Sequence, residues 1–166
     1  GFTGHDHAYN IIKTTDGGLF FNGFLDVTAS EGQGSSSRHG VGEFWCHKVN
    51  SNGDLEWRRY FGGSNNDRSY DSVQTQDGGF ILVGTSESED IEISNSFGSY
   101  DMWIIRLSSS GELLWEKSFG GSAIDEGVII IKNQDNNYTI LGNTNSPKID
   151  GFKTRGMNDF LLINLL

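Results

Sequence analysis

The chain of 166 residues holds one cysteine, Cys46, and one proline. A lone thiol excludes an intrachain disulfide, so packing must hold the fold, and it neither proves nor excludes secretion. With proline almost absent, turns have to be made by other residues. Positive charge is scarce too: 12 Lys and Arg stand against 22 Asp and Glu, for a net charge of −10. Phosphate capture relies on clustered Lys and Arg, and the few here are scattered, which argues against a nucleic-acid partner. The longest apolar runs, such as 128–131, fall far short of the roughly 20 residues a membrane helix needs, so no membrane span is expected. No secretory signal is visible at Gly1, although a processed chain would already have lost one.

Glycine is plentiful, with 23 residues, and 12% of the chain is aromatic. Glycine-rich turns between stretches of Thr, Phe, Trp and Tyr are the mixture of an all-β protein with short strands and tight turns.

The phrase FGGSNNDRSYDSVQTQDGGFILVG, 61–84, returns as FGGSAIDEGVIIIKNQDNNYTILG, 119–142. In that register Asp67 falls on Asp125, Asp77 on Asp135 and Gly98 on Gly156. A third copy begins the chain, where Asp6, Asp16, Gly23, Glu43 and Trp45 take the same places. The step is 61 residues from Asp16 to Asp77 and 58 from Asp77 to Asp135; the extra residues of the first copy lie in the loop 25–39. Such a period marks a repeat architecture.

Each unit reads as four strands: LEWRRYF or LLWEKSF first, then YDSVQTQ, GFILVG and DMWIIRL or their equivalents. The units are accordingly placed at 1–52, lacking its leading strand, 53–110 and 111–166. In DMWIIRL, Trp103, Ile105 and Leu107 alternate with Met102, Ile104 and Arg106, so both faces begin apolar. A sheet covered on both faces fits four-stranded blades arranged radially, the β-propeller plan.

The combined pattern W-x-[KR]-x-[FY]-G-G-S-x-x-D, D-G-G-[FY], G-x-[ST]-x-S and G-x-x-D-x-W resembles the bacterial SBBP-type β-propeller repeats of secreted and cell-surface proteins, with similar arrays among Bacteroidota substrates of the type IX secretion system. The resemblance covers essentially the whole chain. It implies propeller blades, an extracellular or cell-surface setting, and a scaffold or binding module rather than one activity. The first copy departs from G-x-[ST]-x-S at Gly23–Val27, and the third replaces D-G-G by Asp135, Asn136 and Asn137. Propellers typically hold four to eight blades, so three predict either an arc of a longer array or half-propellers that associate into a six-bladed ring. Partners are therefore expected to be further blades or a second copy.

Repetition separates structural candidates from functional ones. Asp6, Asp67 and Asp125 recur in one turn, where a side chain accepting backbone hydrogen bonds serves the blade. Glu43, Asp101 and Asp159 read the same way. Trp45, Trp57, Trp103 and Trp115 recur on strands and are expected to fill space between blades, with sugar stacking as the alternative. What is not repeated points to binding: His47, where the other copies have Ile105 and Ile163, and the long first loop with Asp26, Glu31, Ser35, Ser36, Ser37, Arg38 and His39. Cys46, His5 and His7 near these residues lack a metal-ligand spacing. Glu89, Asp90, Glu92 and Asp150 in the matched loops 86–95 and 146–154 are the candidates for a calcium ion, the one cofactor considered. No nucleophile elbow, phosphate loop or zinc spacing is present, so a non-enzymatic binding segment is expected. The alternative is a propeller enzyme on glycans or lactones, using paired carboxylates at a channel mouth.

Overall fold

A computed structural model describes residues 6–26, 41–149 and 152–165. The described residues form strands β1 (Asp6–Lys13), β2 (Leu19–Asp26), β3 (Gly42–Val49), β4 (Leu55–Phe61), β5 (Asp67–Gln74), β6 (Phe80–Ser86), β7 (Asp101–Leu107), β8 (Leu113–Phe119), β9 (Asp125–Lys132), β10 (Tyr138–Thr144), β11 (Lys148–Ile149), β12 (Phe152–Lys153) and β13 (Asp159–Leu165), with no helix among them. The expected all-β fold is what is found. Two antiparallel sheets have four strands, β1-β2-β3-β4 and β5-β6-β7-β8; the third is β9-β10-β13, beside the small hairpin β11-β12. These are propeller-like blades, and no sheet closes on itself.

The strand LEWRRYF does not lead the second unit, as expected from sequence, but pairs with β3 as the last strand of the first sheet, with Trp45 opposite Tyr60. LLWEKSF likewise pairs with β7, closing the second sheet. The physical reason is the short turn at 50–54, where the Asn50 amide donates to the Asp54 carbonyl and folds β4 back on β3. The phrase FGGS then carries the chain across to the next sheet. It is the third sheet, not the first, that has three strands among the described residues.

The turns follow from their residues. Gly17 and Gly78 adopt φ of 86° and 82°, the left-handed region where a Cβ is penalised. Asn136 holds the same place in the third copy at φ 63°, and Asn is among the few residues that tolerate it. The D-N-N departure therefore preserves the turn, with the Asn136 amide bonded to the Asn133 carbonyl as Gly17 is to Thr14. Asp16 and Asp77 hold the basic residue of the third strand: Lys48 lies 2.8 Å from Asp16, and Arg106 2.6 Å from Asp77. The first strand of every sheet carries a bulge at a matched point, at Tyr9, Tyr70 and Val128, which adds twist.

Consecutive sheets stack face to face. Phe20, Phe44 and Cys46 of the first meet Phe80, Leu82, Trp103, Ile105 and Leu107 of the second. The Phe20 and Phe80 rings stack at 4.0 Å, and Phe44 meets Trp103 edge-on at 4.6 Å. The other face of the second sheet, with Ile81, Val83, Met102 and Ile104, packs on Ile130 and Ile140 of the third. The alternation expected in DMWIIRL is thus realised, each face serving a different neighbour.

Candidate functional site

The junctions between sheets gather the recurrent acids. Asp67 accepts hydrogen bonds from the Gly63 amide at 2.7 Å and the Ser88 hydroxyl at 3.0 Å. Asp125 repeats the arrangement with the Gly121 amide and Ser146 hydroxyl, both at 2.7 Å. Asp101 and Asp159 accept from the turns just before them, through the Phe97 amide at 2.7 Å and the Arg155 amide at 2.6 Å. A Cβ on Gly62 would lie 2.4 Å from Asp67 Oδ2 and 2.9 Å from Glu43 Oε2, and one on Gly120 2.0 Å from Asp101 Oδ1. The first glycine of FGGS is therefore the gap between two carboxylates. Asp6 begins β1 in the matching place.

Of the calcium candidates, Asp90 accepts from the Ser64 amide at 2.8 Å and from the Ser64 hydroxyl. Glu92 accepts from the Gly62 amide at 2.9 Å. Glu89 is exposed, and Asp150 lies outside the described residues. Asp90 and Glu92 thus brace the Gly62–Ser64 turn, and among the described residues no group of three or more His, Cys, Asp or Glu is arranged to hold a metal ion. Burial is the main influence on both acids at this turn: it pushes the Asp67 carboxyl up to about 6, against the pull of its donors, and Glu92 up to about 7.

The non-repeated candidates fall in two places. Glu31, Ser35, Ser36, Ser37, Arg38 and His39 lie outside the described residues, as does the side chain of Asp26, whose backbone ends β2. His47 is half-buried on the open face of the first sheet, with Phe21 at 5.2 Å and Trp45 at 4.9 Å between ring centres. Burial, then the charge of Arg58, lowers its pKa, so the imidazole is neutral at pH 7. On the side turned to the second sheet, His7 lies 6.3 Å from Phe24 and stacks on Tyr9 at 6.0 Å, and Tyr9 meets Tyr70 of that sheet at 5.4 Å. His47 and Trp45 were singled out from sequence, but not their grouping with Phe21; its signal was the alternation of Phe21 with Phe20 and of Trp45 with Phe44 and Cys46. Cys46 itself is buried and its thiol pKa pushed up, which leaves it an inert core group.

The four tryptophans divide. Trp103 is fully buried, its indole donating to Glu116 at 2.8 Å. Trp57 packs partly buried against the first interface and donates to the Ser109 carbonyl at 3.0 Å. Trp45 is half-buried on the open face, and Trp115 is 37% exposed beside Lys117. Space filling between sheets thus holds for Trp103 and Trp57. Trp115, which matches Trp57, lines an open groove with Tyr138 and Leu165 of the third sheet.

A polar tie joins all three sheets. Asp71 accepts from Asn10 Nδ2 at 2.6 Å and from the Ile130 amide at 2.9 Å. In the same interface Asn22 donates to the Ser69 hydroxyl and accepts from the Ser72 hydroxyl, each at 2.7 Å.

The fold and these junctions define the class of protein: a stack of propeller-like β-sheets whose acids hold turns. The sequence matches no protein-family model and no curated protein.

Proposed function

We propose that the chain is a non-enzymatic β-propeller segment of a secreted or cell-surface bacterial protein, a rigid scaffold that binds protein or carbohydrate through its loops. The setting rests on the resemblance to SBBP-type repeats. The observation that carries the binding reading is the use of the acids: Asp67, Asp125, Asp101 and Asp159 all accept backbone hydrogen bonds at turns, work that serves rigidity. A rigid stack whose first copy carries extra residues at 25–39, read from the sequence as a loop, is the arrangement in which loops recognise and the scaffold positions. No helix among the described residues is long and apolar enough to cross a membrane.

The rival reading, an enzyme on glycans or lactones, draws on Asp67 and Glu92, two acids held above their usual range on one turn. Their backbone donors favour the structural role. The test is to screen the labelled chain on glycan and purified surface-protein arrays, then replace 27–40 by a Gly-Ser segment of equal length. Binding lost with an unchanged urea midpoint supports the scaffold. Binding that survives the replacement, or glycan turnover abolished by Glu92→Gln, overturns it.

A further inference from the structure

Within the chain the same interface is made twice, and its two halves are left open at opposite ends of the stack. On the face that each sheet turns to the next, the third-strand positions are Phe44 and Cys46, then Met102 and Ile104, all fully buried under the following sheet. The matching residues of the third sheet, Phe160 and Leu162, are 78% and 58% exposed. Ile129, Ile131 and Leu141 lie exposed on the same sheet, and in the two earlier sheets the place of Leu141 is held by buried Asn22 and Val83. At the other end, the positions filled by buried Leu82 and Ile140 and by Trp103 and Leu161 are held on the first sheet by Phe21 and Trp45, both half-buried on a face that no sheet covers among the described residues, while Leu25 and Tyr60 toward one end of that face are buried. Ile11, matching buried Ile130, is 60% exposed there, and a shallow groove runs along it between Ala8 and Phe21.

We propose that the open face of the third sheet receives the open face of the first sheet of a second copy of this chain, head to tail, in the packing that joins the sheets within one copy. The inference rests on the propeller reading above and names its partner. Both halves reside on one molecule and both carry large apolar side chains, with His47 and Arg58 beside those of the first sheet, so a second copy supplies each with a surface of the kind that buries it. Such an interface is heterologous, and it ends growth only if it closes a ring. Two copies joined at both ends bring six sheets together, within the four to eight that propeller rings hold.

Two substitutions isolate the halves: Phe160→Asp blocks the third sheet's face and Ile11→Asp the first sheet's. Both sites are exposed, so each variant is expected to keep the wild-type circular dichroism and urea midpoint. By sedimentation equilibrium from about 1 to about 100 μM, where standard-sized interfaces begin to dissociate, the wild-type chain is expected to be a dimer and each variant a monomer. An equimolar mixture of the two variants still has one intact junction, and is expected to form a one-to-one dimer, weaker than wild type, that grows no further. If either variant misfolds, Leu162→Ser and Phe21→Ser replace it in the same scheme. A wild-type chain that stays monomeric, a variant that self-associates alone, or a mixture that does not pair overturns the proposal. A monomer that still binds an array ligand through 27–40 overturns only the association and leaves the scaffold standing.

Discussion

Burial holds the carboxyls of Asp67 and Glu92 at about 6 and about 7, whereas in the unfolded chain they titrate near about 4. The folded chain therefore binds more protons than the unfolded one between those values, and its stability falls as pH rises through that window. Asp16 and Asp77 act in the opposite sense: Lys48 holds Asp16, and the Thr75 hydroxyl and then Arg106 hold Asp77, below the usual range, and what they contribute is lost only as pH falls below about 4. The urea midpoint is expected to be higher near pH 5 than near pH 8, with Glu92→Gln flattening the difference. A midpoint that climbs from pH 5 to pH 8 would contradict the burial of these two acids. Tryptophan offers a second check. Trp103→Ala empties a fully buried site and is expected to cost about 3 to 5 kcal/mol, while Trp115→Ala, at a partly exposed site, is expected to cost well under half of that. Equal losses on denaturant unfolding would refute the difference in cover. The pattern of strand residues marked all four indoles alike, because alternation reports which way a side chain points and not whether a neighbouring sheet lies over it.

At the scale of elements the repeat was legible and its phase was not. A period of 58 residues says that LEWRRYF and LLWEKSF belong to one unit each, but a cyclic pattern can be cut before or after them with equal regularity. The hydrogen bonds decide, placing β4 on β3 and β8 on β7. The bulges at Tyr9, Tyr70 and Val128 were equally hidden, since an extra residue in one strand leaves its alternation readable on either side. The cross-sheet tie at Asp71 escaped for a related reason: its partners, Asn10 and the Ile130 amide, are 61 and 59 residues away and meet it only once three sheets are stacked. Asp71→Ala leaves both donors without this acceptor and is expected to cost about 1 to 3 kcal/mol. In hydrogen exchange the Ile130 amide should lose protection, while ladder amides of β6 and β7 change only by the global loss of stability. If Ile130 exchanges as slowly as in wild type, the tie contributes nothing to holding the third sheet on the second.

For the whole molecule, acidity and the open faces set opposing demands. A net charge of −10 makes two copies repel at a distance, yet the surfaces proposed to meet carry Phe160, Leu162, Ile11 and Phe21 rather than ion pairs. His47, which lies opposite Arg58 on the first sheet's face, is neutral at pH 7 and stands where the other copies have Ile105 and Ile163. Added salt screens the repulsion over a Debye length that shrinks to about 10 Å at 0.1 M, and it leaves apolar contact intact. Association should therefore tighten as salt is raised from about 0.02 to about 0.5 M. It should weaken below pH 6, where a protonated imidazole would have to be buried, and His47→Ile should remove that acid sensitivity. Dimers that come apart in salt would mean that charged loops, and not the repeated sheet faces, hold the copies together. The composition alone announced the repulsion; the exposure of Phe160 and Leu162, where Met102 and Ile104 are buried, depends on place in the stack, which residue type does not encode.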